Sequence, residues 1–210
     1  MIDYSKAIMK KKIDKVVKAL EENNIKAYRI SSREEMFEVL ETLVPDGATV
    51  GYGGSVTLTN AGVIDWLRWK KTIELYDRAR VDDQEECMRK SLVSDVFFCS
   101  TNAITEDGWL YNVDGRGNRV AAMIYGPKSV VIIAGWNKIV ADLAAAETRV
   151  RKLAAPANCM RLDKQTPCVK TTSCADCKSP DRICRSYVAM GPQGEKNRIK
   201  VLILEENLGY

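Results

Sequence analysis

The sequence predicts an α/β fold in which a mostly parallel sheet is covered by helices. Helix-like and strand-like segments alternate along residues 4–100, as in chains that build such sheets. Residues 95–100 (DVFFCS) and 199–204 (IKVLIL) are short apolar runs, which is typical of strands buried on both faces. A β-prone run at residues 48–52 leads into Gly53, Gly54 and Ser55 before a helix-like segment. That order is typical of the strand-to-helix turns of this class.

The first half of the chain supplies the individual elements. In the N-terminal segment 1–24, apolar residues repeat at helical spacing from Ile13 to Leu20, and Asp3 is a suitable N-cap. Ser31 or Ser32 is a suitable cap for a second helix, which we expect to end before the turn Pro45-Asp46-Gly47. The further expectations are strands at 26–30, 72–77 and 95–100 and helices at 57–69 and 82–92.

The second half has a different rhythm. Residues 104–134 contain no good helix pattern, and extended pieces at 109–113, 120–125 and 129–134 predict a β-meander inserted into the sheet. An alanine-rich helix is expected over 137–153, closed by Pro156. The cysteine-rich segment 156–190 shows little periodicity, and the strand at 199–204 is expected to return to the main sheet. We expect residues 1–210 to form a single domain.

The composition excludes several classes of function. The chain has no histidine, so a Ser-His-Asp triad, a Cys-His pair and a HExxH zinc site are excluded. Its 32 basic and 28 acidic residues are interspersed, which argues against nucleic acid as a partner. No run approaches the ~20 apolar residues of a membrane span, and the N-terminal residues lack the apolar part of a secretory signal. We therefore expect a cytoplasmic protein without a membrane partner.

Four of the seven cysteines are concentrated at Cys168, Cys174, Cys177 and Cys184. A Cys-x2-Cys pair with further cysteines nearby can supply four thiolates to one inorganic centre, and such a centre would order this proline-rich segment. A [4Fe–4S] cluster and zinc both accept four thiolates, and Pro167 and Pro180 beside the cysteines favour the cluster. Free thiols in a surface loop are the alternative. Cys159 is a further thiol that could join the set, whereas Cys99 lies in an apolar strand and Cys87 lies on a predicted helix.

Several motifs resemble the LUD domain family, which includes lactate utilisation protein C. They are the glycine turn at residues 53–55, STNAITEDG at 100–108, NVDGRGNRV at 112–120 and YGPK at 125–128, with the cysteine tail resembling a subset of the family. The resemblance extends from about residue 5 to the C-terminus. It implies a sheet related to the fold of ribose-5-phosphate isomerase, glucosamine-6-phosphate deaminase and CoA-transferases. It also implies a link to oxidation of lactate to pyruvate, together with iron–sulfur partner proteins.

A ligand site is expected where strand ends meet glycine turns, at the carboxyl edge of the sheet. A small carboxylate or phosphate would be bound there, and Glu106 is the candidate general base because a glutamate often has that role in the superfamily. A turn carboxylate is the plain alternative for Glu106, as turn capping is for the asparagines and aspartates and a salt bridge to Asp114 is for Arg119. The candidate ligand-binding residues are Gly53, Gly54, Ser55, Asn102, Asn112, Asp114, Asn118, Arg119 and Lys128.

Three functions fit these observations. The first is an accessory or electron-transfer subunit in lactate oxidation that carries an iron–sulfur cluster. The second is a small-molecule enzyme of the isomerase or CoA-transferase type with a structural zinc site. The third is a metal-stabilised ligand-binding protein, and each of the three is compatible with a homo-oligomer.

Overall fold

The computed structural model describes residues 4–210. The expected N-cap Asp3 lies outside the described residues. The strands are β1 (Lys26–Ile30), β2 (Thr49–Tyr52), β3 (Glu74–Tyr76), β4 (Val96–Cys99), β5 (Ala103–Thr105), β6 (Leu110–Asp114), β7 (Ser129–Gly135), β8 (Ile139–Val140), β9 (Ser186–Met190) and β10 (Ile199–Leu204). The helices are α1 (Tyr4–Glu22), α2 (Arg33–Leu43), α3 (Val56–Asn60), α4 (Val63–Trp69), α5 (Gln84–Ser91), α6 (Asn118–Ile124), α7 (Leu143–Arg149), α8 (Ala155–Arg161) and α9 (Pro167–Thr171).

Six strands form a fully parallel main sheet in the order β1-β10-β7-β4-β2-β3. Strand β10 lies inside the sheet, where Leu202 pairs with Tyr28 on one side and Ile133 on the other. Successive residues of the central strands point to opposite faces, and each face packs on helices. One face packs on α1 and the other on α2 and α4. The predicted α/β class is confirmed.

A second sheet of four strands lies apart from the main sheet, in the order β8-β5-β6-β9. Strands β5 and β6 form an antiparallel hairpin, as expected for the start of a meander. The third antiparallel strand, β9, comes from the far end of the cysteine-rich segment and pairs with β6. The predicted meander is therefore wrong in most of its strands: only 109–113 lies in this sheet, as β6, and 129–134 belongs to β7 of the main sheet.

The expected strand at residues 120–125 is wrong, because this stretch belongs to helix α6. Gly117 lies before the helix with a φ of 86°, and the Asp114 carboxylate accepts hydrogen bonds from the backbone N–H groups of Arg119 (3.1 Å) and Val120 (3.2 Å). This capping satisfies two donors that the helix start leaves free. A β-prone apolar stretch is thus made helical by the turn before it.

The helix expected at 137–153 is present from Leu143 onward, but its start is wrong and Pro156 does not close it. A 3₁₀ turn at Trp136–Lys138 and strand β8 come first, and Asp142 then caps α7. The helix passes through a π turn at Val150–Ala154 into α8, which ends at Arg161. Proline has no N–H to donate, and the wider π turn just before Pro156 lets the helix continue past it.

Two further predicted elements differ in detail. The helix expected at 57–69 is divided into α3 and α4 at Gly62, whose φ of 78° is left-handed. The segment 156–190 was expected to lack secondary structure, but it contains most of α8, α9 and β9. Within residues 4–210 no helix combines the length and the apolarity that a bilayer span requires.

Candidate functional site

A cavity of about 530 Å³ lies at the carboxyl edge of the main sheet. Three neighbouring strands of the sheet each contribute a lining residue from the loop after their carboxyl end. Ser55 follows β2, Ser100 follows β4, and Lys138 follows β7. Because these strands are parallel, their carboxyl ends meet at one edge and bring the three loops together. Another part of the wall is formed by the π turn at Val150–Ala154 and by α8. Helix α8 contributes Asn158 and Arg161. The position of the cavity agrees with the expectation from the sequence.

Most of the expected ligand-binding residues lie at this cavity. Gly53 and Asn112 are directly behind the wall, in contact with Arg119: a Cβ at Gly53 would lie 3.3 Å from Arg119 Cγ, and Asn112 Oδ1 accepts a hydrogen bond from Arg119. The expected residues that line the cavity itself are Gly54, Ser55, Asn102, Asp114, Asn118 and Arg119.

Arg119 holds the cavity wall together. Its guanidinium donates to the backbone carbonyls of Ser100 (2.8 Å) and Val113 (3.0 Å) and to the side chains of Asn102 and Asn112. Its Nε is 4.0 Å from the Asp114 carboxylate. With these donors engaged, Arg119 fixes the ends of β4 and β6, and a bidentate clamp on a ligand would need some of the bonds to break.

Glu106 and Lys128 lie away from the cavity lining. The Glu106 carboxylate is 2.7 Å from Lys15 Nζ and 3.1 Å from Lys12 Nζ, both on α1, and these ammonium groups lower its pKa. Lys128 pairs with Asp95 at 2.8 Å at the amino edge of the sheet, where it lowers the pKa of that carboxyl far below its usual range. The structure brings neither residue to the other candidates.

Lys138 is a site residue that the sequence did not reveal. Its side chain is buried, and Nζ donates to Thr57 Oγ1 (2.8 Å), Ser100 Oγ (2.9 Å) and the Thr101 carbonyl (3.1 Å). Burial, followed by the nearby cations Arg149 and Arg119, lowers its pKa to about 7. The one sequence signal that could have drawn attention to Lys138 is its position just after the apolar run of β7.

Three arginines give the cavity a surplus of positive charge. The Arg78 guanidinium contacts Met88 Sδ at 3.8 Å and lies over Gly54, where a Cβ would be only 2.3 Å from Arg78 Nη2. Arg161 donates to Asn158 and Tyr210, and Arg116 is exposed at the rim. Within the described part of the chain none of the three pairs with a carboxylate. Such unpaired cations favour an anionic ligand.

The cysteines form a second centre beside this cavity. Five thiols surround one small cavity: Cys159 from α8, Cys168 from α9, and Cys174, Cys177 and Cys184 from the irregular segment after it. The four candidate ligands are therefore brought together, and Cys159 joins them. Cys87 and Cys99 are buried in other elements, as expected.

Hydrogen bonds from Arg182 hold the irregular segment in place. Its guanidinium donates to the carbonyls of Cys177 and Cys184, both at 2.6 Å, and contacts Asp176 at 3.3 Å. Asp176 also pairs with Arg151 at 3.0 Å, and the Cys174 N–H donates to the Arg151 carbonyl. The segment is thus attached to the π turn by polar contacts and has little apolar packing of its own.

The donor set suits an inorganic centre in its chemistry. Burial, together with the neighbouring sulfurs of Cys159, Cys174 and Cys168, raises the pKa of the Cys184 thiol to about 12. A bound cation would reverse this shift because it stabilises thiolates. As the side chains stand, no three Cys, Asp or Glu residues between positions 4 and 210 are arranged so that they could hold a metal ion. Binding would therefore draw the sulfurs closer together.

Comparison with known families gives a clear result. The sequence profile of the LUD domain matches residues 13–204. The chain belongs to the LUD domain family. In this sense it is a lactate-utilisation-related protein, and the expected family is confirmed.

One solved structure supports the fold of this LUD domain. It is a DUF162 family protein from Deinococcus radiodurans, with 11% sequence identity and a TM-score of 0.52. The alignment covers 95% of this chain and 97% of that one. At this identity the likeness bears on the fold alone. A comparison with curated protein sequences finds no match.

The two centres of this LUD domain share a wall. Ala155, Ile183 and Cys184 line both the cationic cavity and the cysteine cavity. A ligand in the first cavity would therefore lie next to Cys184. This contact decides what the two sites can do together.

Proposed function

We propose that this LUD domain is an accessory or electron-transfer subunit in the oxidation of lactate to pyruvate. In this proposal the cationic cavity binds a small carboxylate, and Cys168, Cys174, Cys177 and Cys184 hold a [4Fe–4S] cluster. The observation that supports it best is the wall that the two cavities share at Cys184, because a ligand bound in the first cavity would be adjacent to the cysteine site. Iron–sulfur partner proteins would exchange electrons with the subunit in the reducing environment of the cytoplasm.

The cavity offers a carboxylate several suitable contacts. Arg161 and Arg78 supply charge, while the amides of Asn102 and Asn158 and the hydroxyl of Tyr210 supply neutral contacts. An arginine that is free of carboxylate partners gains more from an anionic ligand than one already paired.

At the cysteine site the chain contributes donors and positive charge. The sulfurs of four cysteines would bind the cluster, which when bound supplies a one-electron carrier. The N–H of Asp176 already points at Cys174 Sγ at 3.4 Å, and Arg182 lies beside Cys177 and Cys184. Both contacts stabilise negative charge on sulfur.

Metal analysis of anaerobically purified protein tests this proposal. We expect about four irons per chain and a broad absorbance band near ~400 nm that bleaches on reduction. Cys177→Ser should lose most of the iron, whereas Cys87→Ser, a buried thiol outside the cluster, should keep it. Cys159→Ser shows whether the fifth thiol can be spared. Folded protein without iron would overturn the electron-transfer role.

Binding measurements test the cationic cavity. We expect lactate and pyruvate to bind in calorimetry, and Arg161→Gln to weaken binding by about tenfold because one charge-assisted contact is lost. Arg33→Gln, which removes a surface arginine paired with Glu206, should bind like the wild type. Equal binding by all three proteins would show that the carboxylate lies elsewhere.

A second candidate is a small-molecule enzyme with a structural zinc site. The contacts of Lys138 with two hydroxyls favour it, because they place an acid–base group at the cavity. About one zinc per chain and colourless protein would support this candidate. Replacing Glu106 by Gln then tests the expected base, and turnover that survives the change would exclude Glu106. Zinc without turnover would leave a metal-stabilised ligand-binding protein.

A further inference from the structure

The floor of the cationic cavity contains an amine and two hydroxyls in close contact. Lys138 Nζ lies 2.9 Å from Ser100 Oγ and 2.8 Å from Thr57 Oγ1, and all three residues line the cavity. The third neighbour of the amine is the Thr101 carbonyl at 3.1 Å. Among the described residues no carboxylate pairs with Lys138. A salt bridge therefore does not account for this lysine.

Counting hydrogen bonds shows what the amine does in each protonation state. A charged ammonium has three N–H donors and would donate to all three neighbours. A neutral amine has two donors and one lone pair, and the Thr101 carbonyl can only accept. One of the two hydroxyls must then donate its proton toward the nitrogen. In the resting protein all directions around Nζ are occupied, so Lys138 acts first through one of these hydroxyls. Once that oxygen is acylated, the direction toward it opens to the leaving group and then to water.

Ser100 is the better placed hydroxyl. Each hydroxyl has a second, longer contact of 3.4 Å, to the Leu208 carbonyl for Thr57 and to the Thr101 carbonyl for Ser100. Thr57 also carries a methyl group on the same carbon, which hinders attack by its oxygen. Ser55 lines the same cavity, but its hydroxyl caps α3 by accepting from the Leu58 N–H, and it does not contact Lys138. Ser100 therefore combines access to the cavity with a basic neighbour.

We propose that Ser100 and Lys138 act as nucleophile and general base in transferring the acyl group of a small anionic ester or thioester to water. The unpaired arginines Arg78 and Arg161 above them select the anionic substrate. A serine paired with a lysine is one of the known arrangements for this chemistry, and it needs no histidine. The chain has none.

The bonds and protons balance without a further co-reactant. Ser100 Oγ forms a bond to the carbonyl carbon while Lys138 Nζ takes its proton, and the ester or thioester bond breaks. The leaving alcohol or thiol takes that proton from Lys138. Water then attacks the acyl-serine and gives a proton to Lys138, which passes it to Ser100 Oγ as the acyl bond breaks. Ser100 and the neutral amine are regenerated, and a carboxylic acid is released.

The charges around Lys138 make the amine available near neutral pH. Arg149 of α7 and Arg119 of α6 face it and disfavour its protonated form, while Cys99 of β4 has the opposite, weaker effect. Together with burial they lower its pKa to about 7. The serine should therefore become reactive as the pH rises through this value.

A fluorophosphonate tests the proposal, because it phosphonylates activated serines with loss of fluoride. We expect labelling of the full-length protein at Ser100, located by peptide mass spectrometry, with a rate that rises through about pH 7 and is level above. Lys138→Met should lower this rate by about 100-fold. Ser100→Ala should abolish labelling, and Ser129→Ala, at the amino edge of the sheet beside Lys200, should leave it unchanged. Hydrolysis of mono-4-nitrophenyl succinate should follow the same pattern.

Three results would overturn the proposal. They are the absence of label at Ser100 between about pH 6 and pH 9, label at Ser55 in its place, and a labelling rate that is independent of pH. Circular dichroism checks that the variants fold. If Lys138→Met fails to fold, the pH dependence of the wild type decides, because a serine without the lysine has no transition near neutral pH.

Discussion

Lys138 is a cation in a nearly dry environment, and its charge is expensive to bury. Its pKa in the folded chain lies below the usual 10.5 of lysine. The unfolded chain therefore binds the proton more tightly than the folded chain between these values. In that range the wild-type protein becomes more stable as the pH rises, and below about pH 7 the full burial cost is present.

Replacing Lys138 by Met removes this dependence. We expect the stability of Lys138→Met relative to the wild type to be greatest at or below about pH 7 and to decline toward about pH 9. Urea unfolding at several pH values measures the difference. A difference that stays constant with pH would mean that the lysine does not titrate as its surroundings indicate.

Gly54 controls the position of Arg78. A Cβ at Gly54 would be 2.3 Å from Arg78 Nη2, which is the end of a flexible side chain. Gly54→Ala should therefore push the guanidinium aside with little loss of stability and weaken pyruvate binding several-fold. Calorimetry and thermal unfolding measure the two effects. Arg78→Gln should weaken binding similarly, and an unchanged affinity in both variants would remove Arg78 from the site.

For single residues, the sequence predicted where the cavity lies better than which acid–base groups line it. Gly54, Ser55 and Asn102 were found because turn residues after strands are recognisable in sequence. Lys138 was missed, because a buried lysine and a solvated one have the same local sequence pattern. Glu106 was expected at the site by analogy, and its pairing with Lys12 and Lys15 depends on how α1 packs.

Among the elements, helix α6 depends on a single carboxylate. Asp114 accepts from the N–H groups of Arg119 and Val120, and its loss leaves both without that partner. We expect Asp114→Ala to lower the free energy of unfolding by about 1–2 kcal/mol. Asp46→Ala, at an exposed turn, should change it by less than about 0.5 kcal/mol. Urea unfolding of both variants tests this, and equal values would argue against the cap.

Helix α6 and the segment around Pro156 show why two elements were predicted wrongly. The apolar content of residues 120–125 fits a strand, and the helix depends on Gly117 and Asp114 upstream. Pro156 normally ends a helix, but the π turn before it keeps the helix going. In both cases a contact outside the local window decides the structure.

For the whole molecule, the cysteine centre should order one segment and leave the main sheet intact. Residues 172–185 depend mainly on polar contacts, whereas the main sheet is packed on both faces. If the cysteines hold the proposed metal centre, a chelator that removes it should increase trypsin cleavage at Lys178 and Arg182 by about tenfold or more, with the rest of the chain protected. Mass mapping of the fragments measures this.

Two variants sharpen the proteolysis experiment. Cys184→Ser should resemble the chelated protein, and Cys87→Ser should resemble the untreated one. Cleavage that is equally fast with and without chelator would show that the segment is ordered by its own contacts.

The parallel main sheet was predictable from the sequence, but the separate four-stranded sheet was not. Strand β9 pairs with β6 across more than 70 residues, between Ser186 and Asp114 for example. Local patterns carry no information about such a pairing. The cysteine spacing did predict that Cys168, Cys174, Cys177 and Cys184 lie around one small cavity, because these four residues belong to one short segment.

The central position of β10 also affects how the protein folds during synthesis. Strand β10, residues 199–204, lies between β1 and β7 and pairs with both. The edges of β1 and β7 that face β10 therefore have no partner until these residues have left the ribosome. The nascent chain must therefore keep the facing edges of β1 and β7 exposed from the synthesis of β7 until residues 199–204 emerge. A messenger cut short before codon 199 should yield aggregated polypeptide, even though the residues of both cavities, apart from Tyr210, would already have been made.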